Sequence, residues 1–199
     1  LLARESKTLR SAADALGGKA AFIGADLGGD LADVMGIVRR RLPGAPDVIV
    51  NNAAEFFIAA ADETAIDDFE RAVRVNLSSH FALVHEFLAA MKQRGSGHIV
   101  TIGSIADQRG LPGNAAYSAS KFGLRGLHEV LREELRGSGV RTTLVSPARV
   151  DTSIWKSPRP SRAATGAGMI PATAVAEAVR YAVTQPQEVN IDELRLSRS

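Results

Sequence analysis

Three residues in the middle of the chain carry side chains that together can move a proton to and from an oxygen atom. Tyr117 and Lys121 stand four residues apart in AAYSASKFGLRGLHEV, on one face of the helix this stretch predicts. A cation beside a phenol favours the phenolate. The spacing therefore predicts that Lys121 draws the Tyr117 pKa down from about 10 towards working pH, where the phenol can pass a proton in either direction. Ser104 lies thirteen residues before Tyr117, directly after the apolar run IVTI and Gly103. That run is rich in β-branched residues and reads as a buried strand, which leaves the Ser104 hydroxyl at a strand's carboxyl end, ready to hydrogen-bond a reacting carbonyl. The competing reading makes Tyr117 and Lys121 merely the edge of an amphipathic helix.

The remaining elements must hold these side chains together. Residues 1–3 read as the end of a strand. A helix follows over 6–16, with Ser6 as N-cap and Leu9, Ala12, Ala13 and Leu16 as its apolar stripe. Gly17 and Gly18 end it. Residues 19–25 predict a short strand, 30–41 a helix, and 47–50 a strand whose unbroken apolar run implies cover on both faces. A helix near 65–76 continues, bent, to residue 94. The strand at 99–102, a long helix over 114–136, and a strand over 140–145 come next. SIWKSPRPSRAATGAGMIPA (153–172) predicts a mobile loop over the site, with a solvated linker as the alternative. A helix over 171–184 and a strand near 188–194 complete the chain. Strands alternating with helices point to an α/β fold, a doubly wound parallel sheet with helices on both faces. In such a sheet ligands bind beyond the carboxyl ends of the strands, and Arg4, Asp26, Asn51, Ser104 and Pro147 all fall there.

Ser104 followed by Tyr117-Ser118-Ala119-Ser120-Lys121 resembles the short-chain dehydrogenase/reductase family. Asn51-Asn52-Ala53-Ala54 is similar to its Asn-Asn-Ala-Gly motif, with Ala54 where Gly is usual. Asn76 sits in Val75-Asn76-Leu77. Ser146-Pro147-Ala148-Arg149-Val150-Asp151-Thr152 is similar to its Pro-Gly-x-Val-x-Thr segment, with Ala148 in place of Gly. The resemblance implies a Rossmann-like fold over residues 1–199 as one domain. It also implies a cytoplasmic oxidoreductase that interconverts a carbonyl and a secondary alcohol by hydride transfer.

The roles it implies are specific. Ser104 orients the substrate carbonyl, Tyr117 is the general acid or base, and Lys121 bonds the nicotinamide ribose. Asn76 holds a helix kink and a water that links Lys121 to solvent. Asp26 and Leu27 meet the adenine, although Asp26 also suits a helix cap. Asn52 and Ala53 approach the cofactor, and Pro147, Val150 and Thr152 flank the nicotinamide. Arg4 directly follows the second strand of the usual dinucleotide fold, where an acid selects NAD and an arginine suits the 2′-phosphate of NADP. NADP is therefore the expected cofactor, with NAD possible and Ser6 and Lys7 as helpers; a solvated loop arginine is the alternative. The family's helices at 65–94 and 114–136 pair across subunits, so a homodimer or homotetramer is expected. Phe81, Val84, Phe87, Leu88, Leu124, Leu127 and Leu131 then serve either core or partner. The substrate is a small carbonyl or alcohol, its pocket shaped by residues 55–61, Ile154 and Trp155.

One departure is large. The family opens with a strand, a Gly-rich turn and a helix that cradle a pyrophosphate, and no glycine precedes Gly17 here. The expectation is a first βα unit missing from the given chain and a gap at the sheet's centre, with unpaired backbone and an open apolar face. A non-catalytic fragment that cannot hold cofactor is the corresponding alternative.

Composition narrows the classes further. The chain has 199 residues, 45% hydrophobic and 23% charged, which suits one domain with a full core. Its formal charge is +2 with acids and bases interspersed, and no Lys/Arg cluster suggests nucleic acid. It has no cysteine for disulfides or thiolate metal sites. No run is long and apolar enough for a membrane span. The four histidines, His80, His85, His98 and His128, form no ligand pattern and read as surface or packing residues.

Overall fold

The computed structural model of the chain describes residues 1–17, 19–156 and 168–199. Its elements run in the order β1 (Leu2–Ala3), α1 (Lys7–Ala15), β2 (Ile23–Gly24), α2 (Leu31–Arg41), β3 (Val48–Asn51), α3 (Ile66–Val73), a π-helical turn (Arg74–Ser78) and α4 (Ser79–Arg94). There follow β4 (Gly97–Ile102), a 3-10 turn (Ile105–Asp107), α5 (Ala115–Glu134), β5 (Val140–Pro147), β6 (Val150–Asp151), a 3-10 turn (Ser153–Lys156), β7 (Ile170–Pro171), α6 (Ala172–Val183) and β8 (Glu193–Leu196).

Local chemistry sets the boundaries. Ser6 accepts the Leu9 N–H at 3.1 Å and starts α1, while Asp30 accepts the Ala32 and Asp33 N–H groups at 2.7 and 3.2 Å and starts α2. Gly17, at φ 65°, follows α1; Gly18 lies outside the described residues. Gly139, at φ 79°, precedes β5, and a Cβ there would strike the Gly95 carbonyl oxygen, so only glycine fits.

All strand pairs are parallel. The main sheet has the order β3-β4-β5-β8, while β1 and β2 pair only with each other. Among the described residues β3 pairs with β4 alone. Helices cover both faces of the main sheet. Val34, Met35 and Val38 of α2, Val84, Phe87 and Met91 of α4, and Leu131 of α5 pack with Ile49 and Ile99 on one face. Val175, Ala178 and Val179 of α6 pack on Val100, Ile102 and Val145 on the other.

Several expectations change. The unbroken run of β3 is not covered on both faces: Ile49 and Asn51 are buried, but Val48 and Val50 are exposed, because α6 covers β4 and β5 and stops short of β3. Residues 19–25 give only a two-residue strand, since β1 offers only Leu2 and Ala3 for pairing. The last strand lies at Glu193–Leu196, not 188–194. Val189 N–H closes a turn onto the Pro186 carbonyl, and the Asn190 side chain takes the Thr142 N–H before the ladder begins at Leu144. The loop over 153–172 is partly ordered: Ser153–Lys156 form a turn and β7 pairs with β6, while residues 157–167 lie outside the described residues. Val84, Phe87, Leu124 and Leu131 are core residues, whereas Phe81 is exposed. His80, His98 and His128 are packing residues, and His85 is on the surface, stacked on Phe81.

Candidate active site

The parallel register brings the carboxyl ends of the strands to one edge. Pairing of Asn51 with Thr101, and of Ile102 with Val145, sets the segment after β3, the Ser104 turn and Pro147 side by side. Ser104 is the N-cap of the turn after β4 and accepts the Ala106 N–H at 3.1 Å. Tyr117 is the third residue of α5, and Lys121 lies one turn further on the same face. The Lys121 ammonium is 5.7 Å from the centre of the Tyr117 ring and donates to the Ile102 carbonyl at 2.8 Å.

The predicted effect of Lys121 on Tyr117 is overturned. Burial pushes the Tyr117 phenol above its ordinary 10, and a hydrogen bond from the Ser104 side chain, not the lysine, opposes it. The negative charge of Asp107 adds to the rise. Lys121 is itself almost fully buried, and desolvation pulls it down to about 8 against the opposing pull of Asp107. With its ammonium turned to the Ile102 carbonyl, the lysine is not among the groups that move the Tyr117 pKa here.

Asn76 is fully buried inside the π-helical turn between α3 and α4, not on the surface. Its side chain accepts the Glu55 N–H at 2.7 Å and donates to the Glu55 carbonyl at 2.9 Å and to Ser120 at 3.0 Å. Ser120 in turn donates to the Tyr117 carbonyl at 2.7 Å. The π turn lies where the sequence predicts a bend in the helix, and Asn76 is buried within it.

Two contiguous cavities open along the strand ends. One, of about 660 Å³, is lined by Ser104, Tyr117, Lys121, Pro147, Val150 and Thr152. The other, of about 750 Å³, is lined by Arg4, Asp26, Leu27, Ala53 and Thr152. Asn52, Phe56 and Ile154 belong to both walls. Of the predicted site residues, all but Asn51, Asn76 and the helpers Ser6 and Lys7 line this cleft; Ser6 caps α1 instead, and Asn76 braces the cleft from behind. Asp26 caps no helix. Its carboxylate accepts the Gly28 N–H at 2.9 Å and pairs with Arg71 at 3.0 Å, which holds it below the usual carboxylate range. Arg71 also pairs with Glu55 at 2.8 Å. The buried His80 ring lies 2.9 Å from the Ala53 carbonyl and fixes the backbone behind the cleft.

Sequence reasoning missed a buried acid beneath the site. Asp107 accepts the Ser104 N–H at 3.1 Å and the Ser146 hydroxyl at 2.6 Å through one oxygen. Through the other it accepts two N–H groups of Arg125, at 3.0 and 3.1 Å. Gly103 makes room: a Cβ there would meet the Asp107 carboxylate and the Ser146 hydroxyl. The Ser-x-x-Asp spacing of 104–107 is a capping-box signal that points to this acid. Arg71 and Phe56 carry no such local signal, because their partners are distant in sequence.

The comparisons agree with this geometry. A sequence model described as short chain dehydrogenase matches residues 1–163. An uncharacterized oxidoreductase of Staphylococcus aureus (strain MW2) is 30% identical over 151 residues, covering 76% of this chain and 64% of the relative. The chain thus spans about two thirds, and slightly less, of the curated relatives it matches. Serine dehydrogenase from Escherichia coli superposes with a TM-score of 0.83 at 26% identity, over 99% of this chain and 84% of that one. An alcohol dehydrogenase from Thermococcus sibiricus, complexed with 5-hydroxy-NADP, gives 0.84 at 26% identity over the same shares. A metagenomic short-chain oxidoreductase in complex with NADP gives 0.80 at 29% identity, over all of this chain and 85% of that one. With the family model spanning most of its length and the serine, tyrosine and lysine gathered at one strand edge, the chain belongs to the short-chain dehydrogenase family.

Proposed function

We propose that the chain is an NADP-preferring oxidoreductase that interconverts a small-molecule ketone and its secondary alcohol, with Tyr117 as general acid and base. The observation that carries this reading is the meeting of Ser104, Tyr117 and Lys121 at the wall of one cavity whose neighbour is lined by Arg4 and Asp26. Bound NADPH supplies the hydride, and NADP accepts it in reverse.

The Ser104 hydroxyl holds the carbonyl oxygen against Tyr117. The protonated phenol, favoured by burial, gives its proton to that oxygen as it becomes an alkoxide. In the opposite direction the phenolate takes the alcohol proton. Lys121 would bond the nicotinamide ribose through an ammonium donor not given to Ile102, and Asn76, through Ser120 and Glu55, ties α5 to the segment after β3 behind it. Pro147, Val150 and Thr152 would hold the nicotinamide, Asn52 and Ala53 the middle of the cofactor, and Asp26 and Leu27 the adenine. Arg4 is exposed at the cavity wall, where a 2′-phosphate would find a guanidinium, and two solved neighbours named as NADP complexes support the choice. Phe81 on α4 and Phe122 and Val130 on α5 are exposed, which supports a homodimer or homotetramer built on these helices.

Titration of the chain with NADPH and NADH, followed by cofactor fluorescence, tests the reading. Tighter binding of NADPH, a preference that shrinks in Arg4→Ala, and loss of ketone reduction in Tyr117→Phe are expected. No binding of either cofactor overturns it.

A further inference from the structure

Beyond Ser104 and Tyr117 most of the cleft wall is apolar and aromatic, with Asn52, Asn114 and Thr152 as its neutral polar members. Phe56, Ile58, Leu111, Ile154, Trp155 and Val179 form its apolar part. Phe56 stands edge-on to both Tyr117 and Trp155, with ring centres 5.0 Å apart in each pair. The Trp155 indole N–H is bound to the Val150 carbonyl at 2.7 Å, so its polar atom is satisfied within the chain. Among the described residues the wall bears no carboxylate, and its cations are Lys121, already bonded to Ile102, and the exposed Arg149. A charged substituent placed against Phe56, Ile58, Leu111 and Trp155, away from Lys121, loses its water to apolar surface, whereas an aryl or branched alkyl group buries apolar area against three rings.

We infer that this pocket selects ketones and secondary alcohols bearing an uncharged aryl or branched alkyl group, with Phe56 and Trp155 as the specificity-determining residues, and disfavours α-keto acids. The inference rests on the reading of Ser104 and Tyr117 as the carbonyl site, and it names the substrate class for that site.

Trp155 is the chain's single tryptophan, so its fluorescence reports occupancy of the pocket without any cofactor. The 199-residue chain is titrated with acetophenone and, separately, with pyruvate. Saturable quenching by acetophenone, none by pyruvate, and an acetophenone dissociation constant raised about tenfold in Phe56→Ala are expected. Phe56→Leu, which keeps the apolar wall, recovers most of the affinity. Linear quenching without saturation overturns the proposal, as does saturable pyruvate binding that Arg149→Ala abolishes. NADPH consumption separates this from the function proposed above. Acetophenone bound but not reduced counts against the reaction and leaves the pocket's preference standing; reduction of pyruvate alone upholds the reaction and sinks the preference.

Discussion

One oxygen of the Asp107 carboxylate accepts the backbone N–H of Ser104 at 3.1 Å, tying the serine that lines the cavity to a buried charge beneath the strand ends. That same carboxylate holds Ser146, next to Pro147, and Arg125, one turn beyond Lys121 on α5. It accepts every one of these bonds, so an amide in its place must turn an N–H₂ group onto a donor. Asp107→Asn is therefore expected to lose about 3 kcal/mol in urea unfolding, because the ion pair between this fully buried carboxylate and Arg125 is broken and Arg125 keeps only its more exposed carboxylate partners, Glu193 foremost. It should also lower kcat about tenfold, through displacement of Ser104, with little change in KM. Adding Arg125→Met removes the guanidinium that faces the new amide and should recover part of the stability without recovering kcat. Recovery of both together would show that Asp107 only stabilises the fold.

Asn76 satisfies both backbone groups of Glu55 from a buried position 21 residues away. Asn76→Ala leaves the Glu55 N–H and carbonyl and the Ser120 hydroxyl short of a partner. Ser120 keeps its bond to the Tyr117 carbonyl, so at about 1–3 kcal/mol for each of the two Glu55 groups left unsatisfied a total loss of about 2–6 kcal/mol is expected from urea unfolding. A loss below about 1 kcal/mol would mean that water replaces the amide without cost.

The α/β class, the cap at Ser6, the helix start near residue 30 and the strand-end position of Ser104 were legible because each depends on local spacing: a 3.6-residue stripe, a capping hydroxyl, a β-branched run between glycines. Burial on each face of β3 was not legible, since the apolar run is the same whether or not a helix lies over Val48 and Val50. Nor was the direction of the Tyr117 shift. The four-residue spacing fixes that Lys121 shares a face with Tyr117, but not that its ammonium turns to the Ile102 carbonyl or that burial outweighs its charge. Asp26 showed its place at a strand end and hid its partner, because Arg71 comes from α3, 45 residues on.

Tyr117 gives a direct test of that correction in the cofactor-free chain. The difference in ultraviolet absorbance between the wild type and Tyr117→Phe isolates its ionisation. Burial places that ionisation above pH 10. Ser104→Ala removes the hydrogen bond that lowers it and should move it higher, whereas Asp107→Asn removes a negative charge and should move it lower. Ionisation below 10 in the free chain, unchanged by either substitution, would restore the lysine as the controlling group.

Buried histidines make the fold sensitive to mild acid. Desolvation lowers His80 from 6.5 to about 3 and His98 from 6.5 to about 4, with the Lys121 and Arg141 charges respectively adding to the effect. Each ring stays neutral in the folded chain while the unfolded chain takes up a proton below pH 6.5. The unfolded state then binds more protons, so stability is full above pH 6.5 and falls as pH drops through the window down to about 4. Each histidine contributes a slope of about 1.4 kcal/mol per pH unit there. Glu193, held down to about 2 by Arg195 and Arg125, acts in a lower window, because its stabilisation is lost only below its ordinary 4.5. Urea midpoints between pH 6.5 and 4.5 therefore read the histidines apart from this carboxylate. His80→Gln and His98→Gln should each flatten the slope by one histidine's share, and a slope unchanged in both variants would mean that the rings take up protons without unfolding.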